Sequence, residues 1–364
     1  MTDPNETRLV PNCLPVLIGS LPLTDHGEAV DLIFTATPEI PLWPQLPRNN
    51  REGMVRQFVS GFPGLIDQGS HYFVDRSQAG FIQEMTAFHE HVIECQNLPE
   101  LPDNSLFRLA SDTARGFQVF KEKLLKSGLQ PLTVKGQVTG PVTAGMGIKD
   151  ERGAALVYDD NLWDMLVKLL AGKARWQVEQ LRQFSDYAAP IIFIDEPGIV
   201  SFGSTAFAGI SRELVVDGVS ELIVSIKEAG GLSGIHICAN GDWEPALKSA
   251  TDIISFDAYS FFDNFVLYRE QLISYLRRGG VLAWGIVPTS PPDTVENERL
   301  DTLYERWLMQ LEILCSFGFS EREILHQTLI APACGTGSLT PELALKVLTM
   351  TSNLAVFIKK EFSL

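Results

Sequence analysis

Four residues with side chains that bind zinc lie near the ends of short β-branched runs. His236 and Cys238 are two apart in GIHICAN, Asp257 closes DIISFD, and Cys334 follows IAPA. On a strand, residues two apart point to the same face, so His236 and Cys238 would converge if that face is the inside of a sheet. Thiolates and imidazole suit zinc better than magnesium or calcium, and three protein ligands plus one displaceable ligand are typical of a catalytic site. The pattern predicts zinc that activates a substrate thiol.

Cysteine usage favours free or metal-bound thiols. The five cysteines, at positions 13, 95, 238, 315 and 334, are odd in number and scattered, which disfavours a disulfide framework. A His-x-Cys pair with a distant third cysteine is a weak pattern alone, because buried cysteine and hydrogen-bonded core histidine are ordinary. Cys13, Cys95 and Cys315 lie in apolar or helical contexts, and we assign them to packing.

Eight short runs must position the candidate ligands, at residues 14–19, 39–46, 131–138, 190–195, 234–238, 252–257, 280–286 and 328–333. Amphipathic stretches alternate with them, the pattern of βαβ units and a parallel sheet. Eight units predict one α/β domain over 1–364, a (β/α)8 TIM barrel with its active site at the C-terminal strand ends. The stretch 47–130 is helix-rich and long for one crossover, so we expect a helical insertion after the second strand, over the barrel mouth.

Two helix starts are legible. Asp160 can cap a run with leucines at helical spacing. Thr340 followed by Pro341 predicts the N-cap and first residue of a helix through ELALKVLTM. The chain is therefore expected to end on a docked helix.

The composition disfavours two classes of partner. Among 364 residues, 29 Lys and Arg face 45 Asp and Glu, a formal charge of −16 spread along the chain, which disfavours nucleic acid and anionic membranes. The N-terminus has no basic region followed by an apolar core, and no segment reaches the roughly 18 uninterrupted apolar residues of a spanning helix. We expect a cytoplasmic protein.

Five motifs together resemble the catalytic, C-terminal half of cobalamin-independent methionine synthase. They are Ile18-Gly19-Ser20, TGPVT at 139–143, FIDEP at 193–197, HIC at 236–238 and ACG at 333–335. Their order and spacing match that family over nearly the whole chain. The family belongs to a superfamily with uroporphyrinogen decarboxylase and the methylcobamide-dependent methyltransferases.

The resemblance implies a role for each of several residues. Zinc would be held by His236, Cys238 and Cys334. A homocysteine-like amino acid would be held by the backbone of Ile18, Gly19 and Ser20, with Asp195 pairing with its ammonium group. Alternatively, Asp195 merely caps the following helix, and Glu196 is expected to tie down the loop.

Three departures from the family limit this transfer. Asp257 stands where the family has a glutamate ligand and is one methylene shorter, so its contact with zinc is lost, longer or made through water. The GE motif after the second strand is absent, and the residues nearby are Arg48, Asn49, Asn50 and Glu52. The catalytic histidine of the seventh-strand region is replaced within AWGIVPT. If Arg48 reaches the pocket, the acceptor would carry another anionic group, for example a sulfonate.

The same departures bear on the methyl donor. The family's N-terminal half, which helps hold folate, has no counterpart here, and methyl-folate needs a general acid for its amine leaving group. A methylcorrinoid needs no acid, because the departing cobalt species is stable unprotonated. Methylcobalamin or a methylated corrinoid protein is therefore the expected donor.

The leading hypothesis is a zinc-dependent, methionine synthase-like methyltransferase that acts on a small thiol, homocysteine first. One alternative is a metal-free, uroporphyrinogen decarboxylase-like enzyme, which would need cationic side chains such as Arg48, Arg51 and Arg56 in the mouth. The other is a non-catalytic corrinoid-binding module, although none of the six histidines lies in the DxHxxG motif of the usual corrinoid carriers.

Overall fold

The structure is a computed structural model that describes residues 9–69, 71–184, 187–201 and 209–364. Its strands are β1 (Leu14–Pro15), β2 (Leu65–Asp67), β3 (Tyr72–Val74), β4 (Lys135–Thr139), β5 (Ile191–Asp195), β6 (Leu232–Ile237), β7 (Ile253–Phe256), β8 (Val281–Val287) and β9 (Thr328–Pro332). Seven of them form one parallel sheet in the order β1-β9-β8-β7-β6-β5-β4, and β2 pairs with β3. The sheet curls into a half-barrel, so the fold is α/β and TIM-barrel-like.

The predicted strand at 39–46 does not form a ladder. It makes two single parallel bridges, Leu42 to Lys135 and Gln45 to Ser20. Pro41 and Pro44 interrupt the segment, and a continuous ladder cannot form there because proline lacks the N–H donor. The described sheet therefore has seven strands where eight were expected, and closure into a barrel stays a prediction.

Helices alternate with strands from β4 onward, as the sequence predicts. They are α1 (His26–Ala36), α2 (Phe81–Gln96), α3 (Arg115–Ser127), α4 (Pro141–Gly147), α5 (Asp160–Leu181), α6 (Arg212–Glu228), α7 (Glu244–Lys248), α8 (Ala258–Phe265), α9 (Arg269–Arg277), α10 (Pro292–Asn297), α11 (Leu300–Cys315), α12 (Glu321–His326) and α13 (Pro341–Glu361). Thr340 caps α13 and Pro341 opens it, as predicted. The cap of α5 is Asp159 rather than Asp160, since the Asp159 side chain accepts from the first-turn N–H groups.

The stretch between residues 47 and 130 contains α2 and α3, in line with a helix-rich insertion. It also contains the hairpin of β2 and β3, which was not predicted because three-residue strands carry too little alternation to be recognised. The placement of this insertion over the mouth, and the single-domain organisation, stay predictions.

Helix α13 is long and apolar enough, by length and composition alone, to cross a membrane. In the structure it packs against α1, α11 and β9. Its buried residues include Val347, Leu354 and Ile358. Packing therefore accounts for one face of α13, while Leu345, Val356 and Phe357 are exposed. This is the docked terminal helix that the sequence predicts.

The inner face of the sheet changes from apolar to polar along the strands. Its apolar cluster includes Val16, Ile18, Ile191, Phe193, Ile253, Val281, Ala283, Leu329 and Ala331. Because side chains alternate along a strand, the next inward residue after Phe193 is Asp195, and Ser255 follows Ile253 in the same way. The C-terminal ends of the strands thus stand above an apolar floor, where polar groups are poorly solvated.

Candidate metal centre

Three of the predicted ligands meet at the C-terminal strand ends. His236 lies near the end of β6, Cys238 follows that strand, and Cys334 follows β9. One ligand atom from each side chain lies within 4.8 Å of the other two. Two thiol sulfurs and an imidazole nitrogen at this spacing are the donor set that zinc prefers.

His236 is oriented by the neighbouring strand. His236 and Ser255 are register partners between β6 and β7, and the distance from Nδ1 to the Ser255 Oγ is 2.9 Å. Nε2 is buried and has no hydrogen-bond partner in the part of the chain that the structure describes. A buried polar atom without a partner costs about 1–3 kcal/mol, and a metal ion would satisfy it. The serine is positioned as the outer partner that metal-binding histidines usually have.

The two cysteines shift each other's pKa in opposite directions. The hydrogen bond from the Cys334 thiol lowers the pKa of Cys238, and the imidazole of His236 lowers it further. The same hydrogen bond raises the pKa of Cys334, with burial adding to the effect. The neighbouring thiol therefore favours the thiolate form of Cys238, which is the form that binds metal. All five cysteines are free thiols.

Asp257 lies beside this cluster but serves a helix. Its side chain is the N-cap of α8, accepting a hydrogen bond of 2.8 Å from the Ser260 N–H. It is not part of the three-residue group that meets within 4.8 Å. Burial raises the pKa of Asp257, and the charges of Cys238 and His236 act on it. The carboxylate is thus near the site, with one oxygen already engaged.

Asp195 ends β5 with its carboxylate inside the sheet and is 5% exposed. Its Oδ1 accepts no hydrogen bond from any described residue. Burial raises the pKa of Asp195 to about 6, against the opposing charges of His236 and Lys135. The next residue, Glu196, binds the first turn of α4. That carboxylate accepts from the N–H groups of Val142 and Thr143 at 2.8 Å each, which ties down the loop as predicted.

Lys135 is a site residue that the sequence analysis missed. It is fully buried on β4, its Nζ donates to the Ile18 carbonyl at 2.5 Å, and the same nitrogen lies 4.3 Å from the centre of the Phe193 ring. Burial lowers the pKa of Lys135 to about 8, while the charge of Asp195 opposes that shift. The signal was the alternation in VKGQVT, which places Lys135, Gln137 and Thr139 on one face.

The segment Ile18, Gly19 and Ser20 lines a small cavity together with Cys334 and Gly335. The Ser20 carbonyl accepts from the Thr336 N–H at 2.9 Å. A Cβ on Gly335 would lie 2.1 Å from the Ser20 Oγ, so any larger residue would have to displace that hydroxyl. The predicted substrate segment and the loop that carries Cys334 are therefore packed directly together.

Arg48 and its neighbours are not gathered at the cluster. Arg48 is exposed and its guanidinium lies 3.4 Å from the Leu339 carbonyl. Glu52 is buried against His26, at 2.7 Å from Nε2. Arg51 pairs with Asp112, and Arg56 pairs with Asp67. The cationic mouth that a decarboxylase would require is thus largely neutralised by local ion pairs.

The end of β8 has no room for the side chain that the family places in this region. A Cβ on Gly285 would lie 2.3 Å from the Phe256 carbonyl oxygen and 2.9 Å from the Ala333 Cα. The adjacent Trp284 indole donates to Gln310 at 2.6 Å and is buried. Neither residue supplies a proton donor to the cluster.

No protein-family model and no curated protein sequence matches the chain. Among solved structures, a methyltransferase from Methanosarcina mazei is similar over 96% of this chain and 95% of that chain, with a TM-score of 0.45 and 14% sequence identity.

Proposed function

We propose that the chain is a zinc-dependent methyltransferase that moves a methyl group to a small thiol. The observation that carries the proposal is the meeting of His236, Cys238 and Cys334 within 4.8 Å at the carboxyl ends of the strands. The Nε2 of His236 supports it, because this buried nitrogen has no partner among the described residues and a metal ion would satisfy it.

Zinc would be held by those three side chains, with Asp257 filling or relaxing the fourth position. When bound, it would lower the pKa of an acceptor thiol from about 8.5 so that the thiol is ionised at neutral pH. Ser255 keeps the imidazole of His236 turned toward the cysteines, and the Cys334 thiol stabilises the Cys238 thiolate. The chain thus prepares a soft, anionic pocket for one metal ion.

The acceptor is a small thiol with an amino acid end, homocysteine first, which would give methionine. The segment Ile18, Gly19 and Ser20 packs against the loop that carries Cys334, and Asp195 offers a buried, unpartnered oxygen to the acceptor's ammonium group. Arg48 lies at the exposed rim in this structure, so a sulfonate-bearing acceptor receives no support from its position.

The donor is methylcobalamin or a methylated corrinoid protein. The absence of a side chain at Gly285 supports this choice, because a methyl-folate amine would need a proton donor as it leaves. In the proposed in-line transfer, a carbon–sulfur bond forms while the carbon–cobalt bond breaks, its electron pair stays on cobalt, and the thiol proton is released. The five free cysteines suit the expected cytoplasmic location.

The test is to purify the protein with supplied zinc, measure its metal content, and mix it with homocysteine and methylcobalamin. We expect about one zinc per chain, loss of the methyl–cobalt absorption, and methionine by mass spectrometry. Cys238→Ala should abolish both zinc and product, whereas Cys315→Ala should keep both. Protein without zinc, or with zinc and no transfer to any small thiol, would contradict the proposal.

A further inference from the structure

The inner face of β4 carries charged and polar groups whose bonding capacity is only partly used. Lys135 and Gln137 are both fully buried there. The Lys135 ammonium has three N–H donors, and one of them is directed at the Ile18 carbonyl. Gln137 donates from Nε2 to the Trp43 carbonyl at 3.1 Å, but its Oε1 has no partner among the described residues.

Both side chains reach the segment Ile18, Gly19 and Ser20, which packs against the loop that carries Cys334. Lys135 does so through the Ile18 carbonyl. A Cβ on Gly19 would lie 3.3 Å from the Gln137 Oε1, which places that amide against the next residue of the segment. Gln137 pairs in register with Phe193, two residues before Asp195. Gln137 and Asp195 are therefore diagonal neighbours on adjacent strands, with their Cα atoms about 8 Å apart.

The unused atoms are complementary to a molecule that bears both charges. Lys135 offers donors and a positive charge, which suit a carboxylate. The unpartnered oxygens of Gln137 and Asp195 suit an ammonium group. A purely anionic ligand would leave those two oxygens unpaired, and a purely cationic one would leave the lysine donors unpaired, whereas a zwitterion satisfies both sets.

We propose that Lys135 and Gln137 are specificity-determining residues of the acceptor site. Lys135 binds the carboxylate of a zwitterionic α-amino acid thiol, and Gln137 shares its ammonium group with Asp195. The inference rests on the proposed function for the thiol's fate, but it concerns the opposite end of the acceptor.

The test measures binding of S-methylated ligands to metal-free protein, so it depends neither on zinc nor on turnover. The ligands are methionine, 4-(methylthio)butyrate without the ammonium group, and 3-(methylthio)propylamine without the carboxylate. Ligand-observed NMR titration gives each Kd. We expect each truncated ligand to bind the wild-type protein at least about 10-fold more weakly than methionine, because each leaves a buried charged group unpaired.

Variants then assign each preference to its residue. Lys135→Met should bring methionine and the propylamine within about 3-fold of each other while keeping the preference over the butyrate. Gln137→Met should reduce the preference over the butyrate and keep the other. Lys173→Met is the matched control. Lys173, on α5, is also fully buried, but its ammonium donates to the Arg108 carbonyl. This variant should keep both preferences.

The outcomes separate the two proposals. Equal binding of methionine and either truncated ligand by the wild-type protein would overturn the assignment, as would failure of all three to bind, even if zinc and methyl transfer are found. If Lys135→Met does not fold, Lys135→Gln, which keeps a donor for the Ile18 carbonyl but no charge, replaces it and should show the same loss of preference for methionine over the propylamine. The expected binding pattern without zinc or turnover would instead leave the zwitterion site standing and remove the methyltransferase.

Discussion

Two parts of the molecule bring histidine and cysteine together, and they differ in what the histidine does. On α2, His91 and Cys95 are one turn apart, and Cys95 Sγ lies 3.4 Å from His91 Nε2. That nitrogen also meets the Ser105 Oγ at 2.9 Å and the Leu106 N–H at 3.3 Å. At the strand ends, His236 uses Nδ1 on Ser255 and leaves Nε2 buried without a partner in the described chain.

The difference distinguishes packing from a binding site. Burial raises the pKa of Cys95, so that thiol behaves as a small apolar side chain. Hydrogen bonding from Cys334 lowers the pKa of Cys238, which favours its thiolate form. Residue types alone would rank the two clusters equally. What separates them is whether the protein satisfies its own buried polar atoms.

The largest expected effect is loss of zinc from one cluster only. Cys238→Ala and Cys334→Ala should reduce zinc from about one per chain to below about 0.1, because two protein ligands do not retain the metal. Cys95→Ala should leave the zinc content unchanged. Atomic absorption after dialysis against a weak chelator measures both. Zinc that survives in Cys238→Ala but not in Cys95→Ala would reverse the comparison.

The serines beneath the two histidines give a more sensitive contrast. Ser255→Ala should weaken zinc binding by about 10- to 100-fold, since it removes the partner that fixes the metal-binding ring. Ser105→Ala removes the equivalent partner of His91 and should have no effect on zinc. Competition with a chromophoric chelator gives both affinities. Equal losses in the two variants would mean that the serine effect is a general loss of stability.

Alkylation sharpens the comparison at the level of single thiols. Zinc should slow the reaction of Cys238 and Cys334 with iodoacetamide by at least about 10-fold, because a metal-bound thiolate is shielded. Cys315, which is partly exposed, should react at the same rate with and without zinc. Cys13 and Cys95 are buried and should stay unmodified in the folded protein. Peptide mass mapping reads all five sites, and protection of Cys315 by zinc would place the metal elsewhere.

Much of the fold follows from the sequence because buried parallel strands are short, apolar and flanked by helices. Seven of the eight predicted strands appear within a few residues of their expected places. The exception, 39–46, is apolar enough to be read as a strand, but Pro41 and Pro44 remove the donors that a ladder needs. The hydrophobicity of this segment correctly indicated that it is buried. The two prolines that prevent a strand ladder were also visible in the sequence.

Of the candidate site, the sequence predicted the residues whose positions follow from the pattern of a single strand or from a strand end. The period of two put His236 and Cys238 on one face, and strand ends brought Cys334 to them. Lys135 and Gln137 were missed because polar residues on a buried strand look like interruptions until the inner face is known. The residues that they contact, Ile18 for Lys135 and Trp43 for Gln137, lie about a hundred residues away in the sequence. No local pattern encodes such contacts.

The smallest expected effect is that of replacing Asp257. It tests whether this residue acts as a helix cap or as a zinc ligand. As the N-cap of α8 it accepts from the Ser260 N–H, so Asp257→Ala should lower the free energy of unfolding by about 1 kcal/mol. Asp159→Ala, which removes the cap of α5, should cost a similar amount and is the matched control. Urea denaturation measures both.

Zinc affinity shows whether Asp257 is only a helix cap or also a zinc ligand. Because one oxygen of Asp257 is engaged and the carboxylate lies outside the three-residue group, its loss should weaken zinc binding by less than about 10-fold, well short of the effect of removing a cysteine. Asp159→Ala should not change zinc binding at all. A zinc loss in Asp257→Ala as complete as in Cys334→Ala would show that the carboxylate leaves its helix to close the metal site, and the strand-end cluster would then have four protein ligands rather than three.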